Sequence, residues 1–337
     1  MKEIMLSQKT LSLNITEFKP SQYERLAEVY NANFPDNGIS AAEWRSDDDR
    51  TFGSNSKFLL KRYACQDHET GVTIGFGEFV HIPDMFHPQK FWIRIWVDPN
   101  YQGRGAGRGL YDRLLRELES LGAVTVWTGS AENLPVRTAF FERSGFVEKT
   151  RAWESRLDVT SFDAEKFRDY PSKVAREGIR ITTLAEERGR GEDALRKLHV
   201  LVQDICGDMP QIAAFTPLSY EEWYSLQMES PRLLPGGWMI AMDGDEYVGM
   251  STVLRTDTAP QELMQGDTGV VRAYRGRGIA VALKLAVVDY ARKNGYGKVK
   301  TWNASNNAPM LAVNTKLGFK REVGWITLEK NPAIDRS

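Results

Sequence analysis

The chain has 337 residues, 42% hydrophobic and 26% charged, with a formal net charge of −1 from 44 basic and 45 acidic side chains. This length exceeds one ordinary hydrophobic core and suits two domains, and the composition excludes a disordered or membrane-embedded chain. The balanced charge excludes an overall attraction to nucleic acid, although it leaves room for a local basic patch.

The sequence carries no targeting or membrane signal that we recognise. The N-terminal stretch MKEIMLSQKTLSL lacks the apolar centre of a signal peptide, and no window reaches the roughly 18 apolar residues that a membrane span needs. The two cysteines, Cys65 and Cys206, are expected to be buried free thiols in a reducing compartment. We therefore expect a cytoplasmic protein without a membrane or nucleic-acid partner.

In the first half, hydrophobic periodicity predicts strands and helices in a definite order. In chain order the pattern indicates a strand over 13–18, a helix over 22–31, strands over 57–63, 72–82 and 91–97, a glycine-rich turn over 102–109 with a helix, a strand over 124–128, another helix and a last strand containing Trp153.

The second half repeats this order. The pattern indicates a strand over 179–184, a helix over 192–204, strands over 238–242, 247–255 and 268–271, a turn over 275–280 with a helix, a strand over 298–303, another helix and a last strand containing Trp325. The polar segment between the halves contains Pro171 and is typical of a linker with a helical turn. We predict an N-terminal domain of residues 1–158, a linker of residues 159–177 and a C-terminal domain of residues 178–337.

Short motifs recur at one fixed spacing. The turn QGRGAG occupies 102–107, and RGRGIA occupies 275–280. The pairs Gly105 and Gly278, Gly122 and Gly295, and Gly145 and Gly318 are each 173 positions apart. Chance does not preserve three identical offsets, so the sequence predicts a duplicated domain.

The glycine-rich turns have the chemistry of a phosphate site. Glycines at a helix start cost stability, but they allow a ligand to approach the unpaired N–H groups and the partial positive charge of the first turn. Arginines at 104, 108, 275 and 277 would add charged donors at the rim. Neither turn fits the dinucleotide pattern G-x-G-x-x-G or the Gly-Lys-Ser/Thr end of a P-loop.

The runs VDPNYQGRGAGRGLYDRLL (97–115) and VVRAYRGRGIAVALK (270–284) resemble the signature of the GNAT superfamily of acyltransferases. AENLPVRTAFFERSGF (131–146) and NASNNAPMLAVNTKLGF (303–319) are similar to its second signature. The whole chain resembles tandem GNAT proteins, a group that includes mycothiol synthase. This resemblance implies an α+β fold of two GNAT-like domains, each with a central, mostly antiparallel, splayed mixed sheet flanked by helices.

The resemblance also implies acetyl-CoA as acyl donor, with its pyrophosphate on the turn, its thioester carbonyl near the end of the preceding strand, and no metal. The implied CoA-binding residues of the first half are Val97, Gln102, Gly103, Arg104, Gly105, Ala106, Gly107, Arg108 and Asn133. Those of the second half are Val270, Val271, Arg275, Gly276, Arg277, Gly278, Ile279, Ala280, Asn303 and Asn307.

The implied reaction is direct transfer from the thioester to an amine, which must first lose a proton. Candidate proton acceptors are Glu78 in the first half and Glu262 or Asp267, which precede the strand ending at Val270, in the second. Family members often place an acidic tyrosine four residues before the Gly-Phe glycine. Here Phe141 and Asn314 occupy that place, and Asn314 can form hydrogen bonds but is not an acid.

The second half keeps the family spacing better, so we expect catalysis there and CoA binding in either half. The expected function is N-acetyl transfer from acetyl-CoA to a primary amine of a small metabolite, by a monomer or homodimer. The alternatives are a peptide or protein N-acetyltransferase and a non-catalytic acyl-CoA sensor or scaffold.

Overall fold

The structure is a computed structural model that describes residues 12–54 and 56–332. The segment 1–11, for which the sequence predicts no signal peptide, lies outside the described residues. The chain forms two compact units. The first comprises residues 1–129, 145–147 and 328–337, and the second comprises residues 130–144 and 148–327.

The first unit is built on strands in the order β1-β2-β3-β4-β5. The first three neighbouring pairs are antiparallel, and β4 and β5 are parallel. Its elements are β1 (Leu13–Glu17), α1 (Tyr23–Asn33), α2 (Ala41–Phe52), β2 (Leu60–Asp67), β3 (Thr73–Val80), β4 (Lys90–Val97), α3 (Ala106–Ser120) and β5 (Thr125–Ala131), whose last two residues group with the second unit.

The second unit has strands in the order β12-β6-β11-β10-β9-β8-β7. Its elements are α4 (Pro135–Arg143), β6 (Val147–Asp158), α5 (Asp169–Arg176), β7 (Ile179–Thr183), α6 (Leu184–Arg188), α7 (Glu192–Gly207), α8 (Tyr220–Trp223), β8 (Met239–Asp243), β9 (Glu246–Leu254), β10 (Glu262–Val270), α9 (Ile279–Lys293), β11 (Lys298–Ala304), α10 (Ala308–Leu317) and β12 (Lys320–Lys330). The succession from β7 to β10 is antiparallel, and β10 and β11 are parallel.

Each unit splays at its parallel pair. β4 pairs with β5 over only three residues, 90–92 with 125–127, and β10 pairs with β11 over 262–264 and 298–300. Beyond these short ladders the two strands of each pair separate within the described residues, which opens a wedge in the sheet. The predicted fold, a mostly antiparallel splayed sheet with flanking helices in two copies, is thereby confirmed.

The repeat predicted from the glycines is present in the backbone. α3 and α9 each have 15 residues and begin directly after Gly105 and Gly278, which adopt left-handed φ angles of 96° and 90°. Since L-residues with a Cβ avoid this region, the same positions demand glycine in both copies.

Two strand predictions differ from the structure. β2 begins at Leu60 and runs to Asp67, later than the predicted 57–63. β10 begins at Glu262, six residues before the predicted start, so Glu262 and Asp267 lie inside the strand and do not precede it. A register shift between Gln265 and Thr268 interrupts the alternation that a sequence pattern relies on.

The segment 159–177 is more than a polar connection. It contains α5, which packs against α9, and it contributes Val159, Phe162 and Val174 to the hydrophobic core of the second unit. Pro171 stands in the first turn of α5, where a missing N–H is tolerated. β6, which we predicted within the first domain, pairs with β11 in the second unit.

Within the described ranges, no helix is long and apolar enough to cross a membrane. The same residues contain no group of three or more His, Cys, Asp and Glu side chains that could hold a metal ion. Cys65 and Cys206 form no disulfide with each other, and Cys206 is only partly buried.

Candidate active site

The glycine-rich turn of the second unit connects the end of β10 at Val270 to the start of α9 at Ile279. Gly276 and Gly278 have φ angles of 79° and 90°. A Cβ at Gly276 would meet no atom within 4 Å, so the turn leaves open space beside its backbone. The first N–H groups of α9 therefore face a site that a phosphate could approach closely.

A cavity of about 720 Å³ opens beside this turn. It is lined by the turn, the end of β10, the first residues of α9, the start of α10 and part of α5. Predicted site residues that line it are Val270, Arg275, Gly276, Gly278, Ile279, Ala280 and Asn307. Most of the residues predicted for the second half therefore line one cavity.

The mouth of the cavity has three basic side chains and one acidic side chain, Asp208, which pairs with Arg275. Lys173 of α5 and Lys316 of α10 line it together with Arg275. Tyr170 accepts a hydrogen bond from Lys316 and packs so closely on the turn that a Cβ at Gly278 would lie 3.1 Å from its ring. Sequence reasoning missed Tyr170 and Lys173 because they stand in the segment that we predicted to be a linker.

The two remaining loop residues of the prediction have other contacts. Arg277 places its guanidinium 4.8 Å from the centre of the Tyr274 ring. The N–H of Val271 donates to the carbonyl oxygen of Val248 at 2.9 Å.

The first residue of each signature closes the end of the preceding strand. Arg275 Nε donates to the Val270 carbonyl oxygen at 3.0 Å, and its other nitrogen lies 2.6 Å from Asp208. In the first unit, Gln102 Nε2 lies 3.2 Å from both the Val97 carbonyl oxygen and Asn33 Oδ1. One unit therefore uses a charged pair where the other uses two amides.

A smaller pocket of about 150 Å³ lies at the wedge between β10 and β11. It shares Met209, Thr268, Asn307 and Met310, among other residues, with the larger cavity. Its polar lining comes from Asp267, Thr268, Lys284, Thr301, Asn303 and Asn307. An acyl group entering from the larger cavity would meet these side chains.

Lys284 is the functional candidate that sequence reasoning missed. The side chain is 2% exposed, and burial lowers the pKa of Lys284 to about 7. The signal was present, because Lys284 is the single charge in the apolar run IAVALKLAVV at 279–288. A charge at that place in a buried helix needs a partner or a purpose.

Two predicted catalytic residues of the second half, Glu262 and Asp267, have different surroundings. Glu262 forms ion pairs with Arg156 and Lys300 at 3.0 and 3.3 Å, which occupy its carboxylate. Asp267 lines the inner pocket and accepts a weak hydrogen bond from Cys206 at 3.7 Å. The geometry thus brings Asp267, but not Glu262, into the pocket lining.

Asn314 is buried, and its amide donates to Asn303 Oδ1. Asn314 Oδ1 has no hydrogen-bond partner within residues 12–54 and 56–332. Asn307 caps α10, with its side chain accepting from the N–H of Met310 at 3.3 Å. These contacts give Asn303 and Asn307 structural as well as lining positions.

In the first unit the predicted CoA residues form a similar turn. Gly103 and Gly105 have φ angles of 76° and 96°, and α3 starts at Ala106. Gly107 lies near Val97, because a Cβ at this glycine would stand 3.8 Å from the valine side chain. Arg104 packs over Tyr101, and Arg108 pairs with Asp112. Asn133 is exposed in the loop before α4 and belongs to the second unit.

Glu78 is fully buried in the first unit, opposite Arg62 on the neighbouring strand. One carboxylate oxygen lies 2.5 Å from Arg62, and the other lies 2.7 Å from Arg94. Arg62 in turn contacts Asp48 at 2.7 Å. Burial alone would raise the pKa of Glu78, but the two guanidinium groups outweigh it and hold that pKa below its usual value. Such a carboxylate is a poor proton acceptor.

Twice in this chain, an antiparallel sheet splays at one parallel strand pair beside a glycine-rich helix start, an arrangement that defines an acetyltransferase class of fold. The profile described as "Acetyltransferase (GNAT) family" matches residues 23–146 and 198–319, and the chain belongs to this family.

Two similar proteins match most of the length of this chain. The mycothiol acetyltransferase of Amycolatopsis mediterranei (strain U-32) is 23% identical over 259 residues, which cover 74% of this chain and 78% of that protein. A tandem GNAT protein from the clavulanic acid biosynthesis pathway has a TM-score of 0.71 at 18% identity, covering 95% of this chain and 98% of its own. The likeness to the solved structure shows the fold.

A shorter stretch is more similar to a different relative. The [ribosomal protein bS18]-alanine N-acetyltransferase of Salmonella typhimurium (strain LT2) is 43% identical over 58 residues, which cover 17% of this chain and 39% of that protein.

Proposed function

We propose that the protein is an acetyl-CoA-dependent N-acetyltransferase that acts on a primary amine of a small molecule, with catalysis in the second unit. The observation that carries this proposal is the cavity beside Gly276 and Gly278, which continues through shared lining residues to the inner pocket at the β10–β11 wedge. A glycine cradle, a basic mouth and a narrow polar end suit a phosphate-bearing thioester whose acyl group is reached from the inner side.

Residues of the chain would divide the work as follows. The N–H groups at the start of α9 would bind the pyrophosphate, with Arg275, Lys173 and Lys316 adding positive charge. Acetyl-CoA would supply the thioester. Beyond Met264, β10 still pairs with β9 on one side, but within the described residues it no longer pairs with β11 on the other. Backbone N–H groups near Val270 could therefore polarise the thioester carbonyl.

Two observations favour the second unit as the catalytic one. Asp267 and Lys284 line its inner pocket as titratable groups. By contrast, the first unit's candidate Glu78 is committed to Arg62 and Arg94. We propose that the first unit binds CoA weakly or serves a structural role.

The size of the inner pocket favours a small acceptor. A volume of about 150 Å³ accommodates an amine-bearing group of a few heavy atoms. The local 43% identity to an alanine N-acetyltransferase of a ribosomal protein favours the second candidate, acetylation of a peptide N-terminus. Both candidates need the same donor site and differ only in the acceptor. Two cysteines that are not joined in a disulfide accord with a reducing, cytoplasmic location, which remains part of the proposal.

Thiol release from acetyl-CoA, measured with a panel of small primary amines and a panel of N-terminal peptides, tests the proposal. Turnover with small amines alone supports the first candidate, and turnover with peptides alone supports the second. Acetyl-CoA binding without turnover on any acceptor would reject both and favour a non-catalytic CoA-binding protein. Isothermal titration of CoA, run in parallel, counts the occupied sites per chain.

A further inference from the structure

Lys284 lies where the sheet opens. It is the sixth residue of α9, the helix that begins at the glycine-rich turn, and its side chain lines the inner pocket at the wedge between β10 and β11. Helix and turn together place this amine on the inner side of the site in which the thioester is proposed to end.

A neutral hydrogen-bond network fixes the amine. Lys284 Nζ donates to Gln265 Oε1 at 2.7 Å. The Gln265 amide nitrogen donates to Ser251 at 2.7 Å and lies 3.0 Å from Thr268 Oγ1, which settles the orientation of the glutamine. The ring of Phe319 covers another side of the amine, with 5.0 Å from Nζ to the ring centre.

Few charges face this amine. Among the residues that line the inner pocket, Asp267 of β10 is the single titratable side chain besides Lys284, and α10 contributes only Asn307 and Met310. The nearby charges on β10 and β11, Glu262 and Lys300, form an ion pair with each other. Burial, rather than a neighbouring cation, is what lowers the pKa of Lys284 to about 7.

We propose that the side-chain amine of Lys284 takes the proton that the acceptor amine loses during acetyl transfer and then delivers it to the departing CoA sulfur, an inference that rests on the proposed function. The acceptor reacts as the neutral amine, after releasing its first proton to solvent. Its nitrogen forms a bond to the acetyl carbonyl carbon, and the carbon–sulfur bond breaks with its electron pair on sulfur. One proton moves from the acceptor nitrogen to Lys284 Nζ and from there to the thiolate. The products are the acetamide and CoA thiol, and Lys284 returns to its neutral form.

One residue can serve both steps because the acceptor nitrogen and the sulfur are attached to the same carbon while the transfer proceeds. An ordinary alkyl thiol has a pKa of about 8.5, above that of Lys284, so the second proton transfer runs downhill. This role also fills the position left without an acid, since Asn314 carries no transferable proton at neutral pH.

The kinetic experiment compares Lys284→Met with the intact protein, at saturating acetyl-CoA and acceptor, between pH 5 and 10. We expect kcat of the intact protein to fall below about pH 7, because the protonated amine cannot accept a proton. Lys284→Met should lower kcat by roughly 10²–10⁴-fold and abolish this limb, with little change in the KM for acetyl-CoA. Lys293→Met, an exposed change at the far end of α9, controls for loss of a lysine from the same helix.

Gln265→Glu provides a second variant that keeps Lys284. A carboxylate in place of the amide should raise the pKa of the amine and move the limb to higher pH by about one unit or more. If the limb belongs to Asp267, then Asp267→Asn will abolish it and Lys284→Met will not, which overturns the proposal.

A direct titration requires no turnover. Lysine-selective 15N labelling, with the Lys284 signal identified by its loss in Lys284→Met, should show a midpoint near 7. A midpoint above 9 would overturn the proposal, and so would an unchanged kcat in a folded Lys284→Met protein. Mass spectrometry of the intact protein provides a third test, because an acetyl group that accumulates on Lys284 would also overturn the proposal. Failure of the proposed function is separate, because it appears in the intact protein as acetyl-CoA binding without turnover on any amine.

Discussion

At the scale of single residues, burial sets the protonation state of Lys284 and links it to stability. In the unfolded chain a lysine has a pKa of about 10.4, and in the folded chain burial lowers the pKa of Lys284 to about 7. Between these values the unfolded chain binds more protons, so folding becomes more favourable as pH rises. This gain in the free energy of unfolding is fully present above the pKa of the unfolded chain, and it is lost as pH falls toward 7.

We therefore predict that the free energy of unfolding of the intact protein rises with pH between 7.5 and 9.5, relative to Lys284→Met, by up to about 1.4 kcal/mol per pH unit. Urea unfolding of both proteins at three pH values measures the difference, in which other titrating groups cancel. Parallel pH dependences would show that Lys284 is charged in the folded protein.

Glu78 is a second buried charge, with a structural part to play. Glu78→Gln leaves Arg62 and Arg94 without this carboxylate, and breaking a buried ion pair costs about 3–5 kcal/mol. We predict a large fall in the unfolding midpoint of the first unit. Glu117→Gln, which breaks the more exposed pairs with Lys61 and Arg113, should cost at most about 1 kcal/mol for each pair. A Glu78→Gln protein that melts normally but has lost kcat would contradict this and make Glu78 a proton acceptor.

The two residues show what a sequence can and cannot predict about a site. Glu78 stood out as a carboxylate between hydrophobic residues, but its role depends on Arg62, which lies opposite it on another strand. The sequence spacing of 16 residues gives no hint of that contact. Lys284 was visible as a lone charge in an apolar run, but only the position of the wedge shows that it reaches a pocket.

At the scale of elements, the glycine-rich turns predicted from sequence lead into helices in both units, and they contain left-handed glycines. The pattern succeeded here because helix starts and positive φ angles are local properties. It failed for β10, because the register shift after Gln265 depends on pairing with β9. For α5 it predicted only a helical turn in a linker, because the burial of this helix depends on contact with α9.

Replacing these glycines separates the roles of the two turns. We predict that Gly278→Val abolishes activity, because the new side chain would collide with Tyr170 and obstruct the cavity. Gly105→Val should reduce activity only in part. The measurements are kcat/KM for acetyl-CoA and the melting temperature of each variant.

Gly295→Val supplies the matched control. Gly295 follows the other end of α9 with φ +78° and has open space where a Cβ would stand, so its replacement introduces similar backbone strain away from the cavity. Equal losses of activity at Gly278 and Gly105 would rule out a single active unit.

At the scale of the whole molecule, the limits of the two halves differ between the sequence and the contacts. The predicted boundary separates 1–158 from 178–337, whereas the second unit takes in residues 130–144 and 148–327. β6 hydrogen-bonds along the whole of β11, and residues such as Leu157 and Phe162 lie in the second core. A repeat in the sequence marks where the motifs recur, and it does not record which core each strand joins.

This difference predicts how fragments behave. A fragment of residues 130–337 should be soluble and melt cooperatively, since it keeps β6 and α5. A fragment of residues 178–337 should aggregate, because β11 would present an unpaired edge and the core would lack its residues from 157–174. Size-exclusion chromatography and circular dichroism of both fragments test this, and a monomeric, cooperatively melting 178–337 fragment would restore the predicted boundary.

The contacts that Arg275 and Gln102 make at the ends of β10 and β4 limit how the duplicated halves could diverge. In the second unit the residue at the strand end, Arg275, forms an ion pair with Asp208. In the first unit the corresponding Gln102 forms an uncharged hydrogen bond with Asn33. A single exchange between the copies, such as Arg275→Gln, would remove one of the two arginines that pair with Asp208 and leave Arg272. The reverse change, Gln102→Arg, would place a charge beside the neutral amide of Asn33. Both members of a pair therefore have to change together for the contact to be kept. The residues around the two turns can then differ in their affinity for a ligand while the glycines of the turns stay the same.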